Sequence, residues 1–212
     1  MMQTCPLCAS PDTGHYHCDD ERDYLSCRHC ALVFVPAWQH LSTAEEKAVY
    51  DRHENHPDDL GYRRFLGRLF TPLVARLSPG AQGLDFGSGP GPTLSVMFEE
   101  AGYSMALFDP FYAPDASVWQ RDYDFITATE VVEHLAAPGR EIERLLDHLR
   151  PGGCLGLMTK RVRSREAFAD WHYIRDPSHV AFFSESTFQW LGRRFELDVT
   201  FHADDVVLLQ KR

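Results

Sequence analysis

Two clusters in this 212-residue chain carry residue types and spacings suited to chemistry. The first is Asp85-Phe86-Gly87-Ser88-Gly89-Pro90-Gly91. Glycines that follow a strand let the backbone turn sharply into a helix and approach a ligand closely. A dinucleotide-binding turn is spaced Gly-x-Gly-x-x-Gly, and counted from Gly87 the third position falls on Pro92. A phosphate-binding loop ends in Gly-Lys-Ser/Thr, and no lysine is present here. What fits is Asp-x-Gly-x-Gly-x-Gly. The second cluster is Cys5-x-x-Cys8 and Cys27-x-x-Cys30, with eighteen residues between the pairs. Each pair presents two thiolates, and four thiolates close a tetrahedral zinc site. Cys18, His15, His17 and His29 are alternative donors, but the paired spacing favours Cys5, Cys8, Cys27 and Cys30. Cys154 reads as a buried strand residue.

These clusters need elements to position them. Residues 1–38 are rich in Cys, His and Asp and end in a strand-like run, 31–35, stopped by Pro36. About 40 residues cannot easily build a sufficient core alone, so a metal is physically expected there. Residues 39–80 read as a helical linker or cap. Ser42 or Thr43 caps a helix through Tyr50, with Glu45 or Glu46 at the capping-box position. A second helix spans 59–77, kinked or split at Pro72. From residue 81 to 212, strands alternate with helices. Strands are expected at 83–86, 105–109, 125–131 and 154–159. Helical stripes are formed by Leu94, Met97, Phe98 and Ala101, and by Ile142, Leu145, Leu146 and Leu149. This alternation predicts an α/β fold with a parallel sheet covered on both faces. At the end, Ser184 or Ser186 caps a helix through Leu191, followed by strands at 195–201 and 206–210. Only His202-Ala203-Asp204-Asp205 separates them, too short for a crossover, so they pair antiparallel.

Taken together, these segments resemble the class I S-adenosylmethionine-dependent methyltransferase family over most of residues 83–210. Asp85, Gly87, Gly89 and Gly91, with Ser88 among them, match its first motif. The resemblance implies that they bind the methionine part of S-adenosylmethionine. Asp109, followed by Pro110, matches the acid that accepts the ribose hydroxyls; a carboxylate suits a diol because it accepts two hydrogen bonds. Residues 123–135 resemble the fourth strand, which runs past the methyl group and carries Thr129 and Glu130 at its end as further candidate cofactor-binding residues. Leu149-Arg150-Pro151-Gly152-Gly153 resembles the turn before the fifth strand, and the final hairpin matches the family's reversed last strand. The implied architecture is a Rossmann-like, mostly parallel sheet with an antiparallel last strand and helices on both faces, preceded by a small four-cysteine zinc ribbon. One departure stands out. Only fourteen residues separate Asp109 from Asp124. The third strand, whose following loop contacts adenine in the family, therefore shrinks to a few residues around Val118 and Trp119.

Methyl transfer needs an acceptor lone pair aligned with the methyl, and a base only where a proton must leave. Ligands of such sheets bind at the carboxyl ends of the strands. This directs attention to Glu130, Glu133 and His134, and to residues 171–184. His134 and His179 are candidate catalytic bases, because imidazole titrates near neutrality; each reads alternatively as a loop tether. Around His179 the family commonly has His, an apolar residue and Phe-Ser/Thr as architecture. Glu133, Trp171 and Tyr173 are candidate acceptor-binding residues, the two aromatics forming with Phe182 either a wall or part of the core. Tyr50 either covers the cofactor or packs on the surface. The basic run Lys160-Arg161-Val162-Arg163-Ser164-Arg165 either faces an anionic substrate or is a solvated loop.

Composition narrows the partners. A net charge of −10 opposes wide contact with a nucleic-acid backbone. Within residues 1–40 five acids outweigh Arg22 and Arg28, leaving −3, so this module reads as structural, roofing the substrate site. No apolar run reaches the roughly 20 residues that span a bilayer. The N-terminal Met1-Met2-Gln3-Thr4 lacks a secretory pattern, which makes a cytoplasmic location the expectation. The resulting reading is a methyltransferase acting on an O or N atom of a small molecule, with structural zinc; the oligomeric state is left open. An RNA methyltransferase and a non-catalytic cofactor-binding scaffold are the alternatives.

Overall fold

The computed structural model describes residues 3–52 and 56–212; Met1 and Met2, part of the N-terminal reading above, lie outside them. The chain begins with a hairpin, β1 (Thr13–Cys18) and β2 (Asp23–Cys27), followed by β3 (Val33–Phe34). Two helices come next, α1 (Thr43–Tyr50) and α2 (Leu60–Val74). Ser42 caps α1 in a full capping box with Glu45, as its sequence suggested. Asp59 caps α2 through Gly61 and Tyr62. The kink or split expected at Pro72 is not a break: α2 runs on through it to Val74. Proline in the last turn forfeits a single internal hydrogen bond, a modest loss against the burial of Leu66, Leu69 and Leu73.

The alternating half follows: β4 (Gln82–Phe86), α3 (Thr93–Glu100), β5 (Ser104–Phe108), β6 (Tyr123–Thr129), α4 (Pro138–Asp147) and β7 (Leu149–Met158). After β7 come α5 (Arg165–Ala169), β8 (Ala181–Phe182), α6 (Glu185–Phe195), β9 (Leu197–His202) and β10 (Val206–Lys211). Six strands form one sheet in the order β5-β4-β6-β7-β10-β9. Its first four strands are parallel, and β10 runs antiparallel to both β7 and β9, as the short final connection required. Among the described residues no further strand lies beyond β5. The segment around Val118 and Trp119 is instead a 3₁₀ turn, Ala116–Gln120, capped by Asp115. Leu149 already belongs to β7, and a register shift against β6 absorbs the Pro-Gly-Gly segment expected as a separate turn.

Alternation along the strands assigns each face its helices. Cys154 and Met158 of β7, with Val206 and Leu208 of β10, join Leu66, Leu69 and Leu73 of α2 and Phe98 of α3 in one core. Leu155, Leu157, Val207 and Leu209 point the other way, to Ile142 and Leu145 of α4 and Phe188 and Leu191 of α6. The N-terminal module packs into this second core through Cys5, Leu7, Cys27, Cys30, Leu32 and Phe34. It also shares a sheet with the rest of the chain, in the order β1-β2-β3-β8. No helix among the described residues is long and apolar enough to cross a membrane.

Candidate active site

The glycine turn is built by backbone constraint. Gly87 and Gly89 have φ of +74° and +63°, a region that side chains disfavour. A Cβ on Gly87 would also lie 2.4 Å from Val131 Cγ2. The turn is tied to the end of β5: Gly87 N donates to the Phe108 carbonyl at 2.7 Å and Gly89 N to Asp109 Oδ2 at 3.0 Å. The other oxygen of Asp109 accepts from the backbone N–H groups of Phe111 and Tyr112 at 2.8 and 3.1 Å. One buried carboxylate thus fixes two loops at the carboxyl ends of adjacent strands.

Above this turn lies a cavity of about 740 Å³, within the roughly 300–1,000 Å³ usual for ligand sites. Of the residues singled out from sequence, Gly87, Ser88, Gly89, Asp109, Pro110, Thr129, Glu130, His134 and His179 line it. Asp85, Gly91, Glu133, Trp171 and Tyr173 do not. Asp85 sits beneath the turn, where Ser95 Oγ and Thr127 Oγ1 donate to its carboxylate at 2.9 and 2.8 Å. Burial pushes its carboxyl up to about 6, against those two bonds. Ser88 Oγ, Thr129 Oγ1 and Glu130 Oε1 are buried at the cavity with no hydrogen-bond partner among the described residues. Buried polar atoms are rarely left so, and three around one cavity fit a polar ligand.

Residues 60–201 match the family model described as a methyltransferase domain. The chain belongs to that methyltransferase family. No curated protein matches it. Among solved structures it is similar to the Burkholderia thailandensis 1,6-didemethyltoxoflavin-N1-methyltransferase, with 17% identity and a TM-score of 0.53 over 93% of this chain and 98% of that one. It is also similar to the magnesium protoporphyrin IX methyltransferase of Synechocystis PCC 6803, with 14% identity and a TM-score of 0.53 over 81% and 92% of the two chains. At these identities the likeness concerns the fold, that of S-adenosylmethionine-dependent methyltransferases.

Other walls of the methyltransferase cavity were not legible as such. Tyr50 and Glu46 of α1 and Tyr62 and Phe65 of α2 cover it from the helices before the sheet. For Tyr50 this favours a covering position over surface packing. Arg140, Glu141 and Arg144, one polar face of α4, line the end next to the missing strand. There the Arg144 guanidinium lies 3.6 Å from the Trp119 ring centroid, and Trp119 packs on Phe108. The clue was available: α4 follows the fourth strand of the fold at its carboxyl end, and its polar residues fall at i and i+4.

At the opposite end the 3₁₀ turn Val132–His134 meets the segment before β8, and Val180 N donates to the Glu133 carbonyl at 2.8 Å. The His134 and His179 rings lie 4.7 Å apart. His134 Nδ1 is 3.2 Å from the Ser178 carbonyl and His179 Nδ1 is 2.8 Å from that of Tyr173. A carbonyl only accepts, so Nδ1 is the donor in both rings. Burial lowers the His179 pKa, with Asp176 opposing that shift, and favours the neutral ring. Tyr173 is core, packed with Phe182, and its hydroxyl donates to Glu133 Oε1. Burial raises the pKa of Glu130 and Glu133, each carboxylate meeting a further acid nearby. Glu130 itself has φ +53°, an uncommon conformation for a residue with a side chain, at the end of β6.

The basic run after β7 faces elsewhere. Lys160 meets His172, Arg161 bonds the Ala203 carbonyl, and Arg163 pairs with Asp204. None of the run lines the cavity.

In the N-terminal module, Cys5 Sγ lies 3.5 Å from Cys30 Sγ, and Cys8 Sγ is 3.5 Å from Cys27 Sγ. All four sulfurs fall within 4.8 Å of one another. Sulfurs about 2.3 Å from a tetrahedral zinc stand roughly 3.8 Å apart, so the set fits that ion. Both knuckles are built alike: Ala9 and Ala31 follow them with φ of +58° and +60°, donating to Cys5 and Cys27. Cys18, an alternative donor, is exposed. The module also holds the His179 segment. Arg22 is buried and donates to the carbonyls of Ile174, Asp176, Pro177 and His179.

Proposed function

We propose that this chain transfers a methyl group from S-adenosylmethionine to an oxygen or nitrogen of a small molecule. The observation that carries this reading is the cavity joining the glycine turn and Asp109 to a polar floor of Glu130, His134 and His179. Gly87, Ser88, Gly89, Asp109 and Thr129 are the residues that would hold the cofactor, which supplies an electrophilic methyl when bound. Asp109 offers a fixed carboxylate to a diol, and Gly89 allows close backbone approach. Phe86, Phe108, Arg140 and Arg144 give an aromatic and cationic wall suited to a purine, in place of the absent third strand. Tyr50, Tyr62 and Phe65 keep water from the covered side. At the floor, His134 and His179 are placed to orient an acceptor hydroxyl or amine and take its proton.

A roofed cavity of this size favours a small acceptor over a polynucleotide, and the acids on its walls oppose a phosphate backbone. The two structural relatives carry small-molecule acceptors in their names. For the set of Cys5, Cys8, Cys27 and Cys30 we propose a structural zinc that fixes the module against β8. Labelled cofactor offered with metabolite pools and with total RNA tests the main reading. Label in a low-molecular-weight product is the expected result. Label chiefly in RNA, or no calorimetric binding at millimolar cofactor, would overturn it.

A further inference from the structure

Glu133, His134 and His179 form a second donor cluster, remote in composition from the four cysteines. A carboxylate oxygen of Glu133 and one ring nitrogen from each histidine lie within 4.8 Å of one another. Donors held at about 2.1 Å by one tetrahedral cation stand roughly 3.4 Å apart, so side-chain adjustments of about an ångström close the shell. Glu133 is fully buried, and while Oε1 accepts from Tyr173, Oε2 has no hydrogen-bond partner among the described residues. An ionised oxygen left so in the interior is costly unless a positive group meets it. Nδ1 of each histidine donates to a backbone carbonyl, which orients the ring. That outer bond is the one metal-ligating histidines ordinarily make. Asp176 Oδ2 lies 3.8 Å from His179 Nε2, adding negative charge beside the cluster. Glu130 brings a second buried, unpartnered oxygen, reached through the shared Tyr173 hydroxyl, and it lines the cavity with both histidines.

The geometry points to a divalent-cation site formed by Glu133, His134 and His179, with Glu130 as a further ligand. A mixed imidazole and carboxylate set suits manganese, iron, cobalt or zinc, whereas the thiolate set prefers zinc. Because Glu130, His134 and His179 line the cavity, the remaining coordination positions face a ligand in it. Resting on the methyl-transfer reading, this favours an acceptor with an oxygen donor, whose hydroxyl a cation acidifies. The two histidines then hold the cation, and the proton of the acidified hydroxyl leaves to solvent instead of to an imidazole.

The test uses the zinc-replete full chain titrated with Mn²⁺ alone and followed by loss of the free-ion EPR signal. With neither methyl donor nor acceptor present, the outcome is independent of the proposed activity. One Mn²⁺ per chain is expected, and at least tenfold weaker uptake by Glu133→Gln and His179→Asn. In the wild-type chain, substoichiometric Mn²⁺ should broaden the imidazole NMR signals of His134 and His179 before that of His56. This last readout needs no variant to fold. No uptake by the wild type, unchanged uptake in both variants, or broadening elsewhere first would overturn the site.

Discussion

Asp85 and Asp109 are both buried acids of the glycine turn, yet their surroundings give them different work. Asp109 lines the cavity and accepts three backbone hydrogen bonds. Asp85 lies below and accepts two hydroxyl bonds. Replacing Asp109 by Ala should weaken cofactor affinity at least tenfold in calorimetry, since hydrogen bonds to a charged group contribute about 1.5–3 kcal/mol each. Asp85→Asn should cost affinity less, because it keeps the shape of the turn. Its signature is pH dependence. The folded-state pKa of Asp85 is raised from 3.8 to about 6, chiefly by burial, with Asp109 adding repulsion. The folded chain therefore binds this proton more tightly than the unfolded chain between these values. Stability from this group is present at low pH and lost as pH rises through that window. At pH 7 the variant should gain up to about 3 kcal/mol over wild type, and the gain should vanish near pH 4. Urea unfolding of both proteins across that range measures it, and a pH-independent difference would refute the assignment.

At the level of elements, local chemistry was legible wherever local chemistry decided the outcome. The Ser42–Glu45 box, the Ser184 cap and the short link between β9 and β10 all formed as their residue types dictate. Pro72 and the segment at Val118 and Trp119 departed from expectation for tertiary reasons. Burial of Leu73 carries α2 past the proline, and packing of Trp119 under Arg144 holds a 3₁₀ turn where a strand was expected. The two-residue strand β8 and the hairpin β1–β2 lack a periodicity long enough to read. Least legible was Arg22, whose carbonyl partner at His179 lies 157 residues away. It clamps the segment carrying one of the two cavity histidines. Arg22→Met removes the guanidinium that lies over the Tyr24 ring and leaves four carbonyls without this donor, at a cost of about 2–4 kcal/mol. Hydrogen exchange should rise in residues 174–180 and turnover should fall, with cofactor affinity nearly unchanged. Equal exchange in both proteins would show that the clamp does not hold this segment.

For the molecule as a whole, the question is whether the cysteine module is an appendage or part of the fold. Its composition suggested a separate piece at residues 1–38. Its contacts tie it to the rest: β3 pairs with β8, Pro6 and Leu7 lie against Gly139 of α4, and three of its cysteines pack into the main core. Any Cβ at Gly139 would meet the Leu7 carbonyl at 2.3 Å, so this approach depends on glycine. A metal that organises such a module contributes its binding free energy to folding of the whole, because an unfolded chain offers no preformed site. Removing the proposed zinc with a strong chelator, or by Cys5→Ser, should therefore lower the single unfolding transition by more than about 5 °C rather than melt a separate module first. Turnover should fall before cofactor binding does, since Arg22 and the His179 segment loosen while the glycine turn stands on β4 and β5. Calorimetric scans with and without zinc decide it. Two resolved transitions, or a midpoint that does not move, would make the module an independent attachment and detach it from the floor of the cavity.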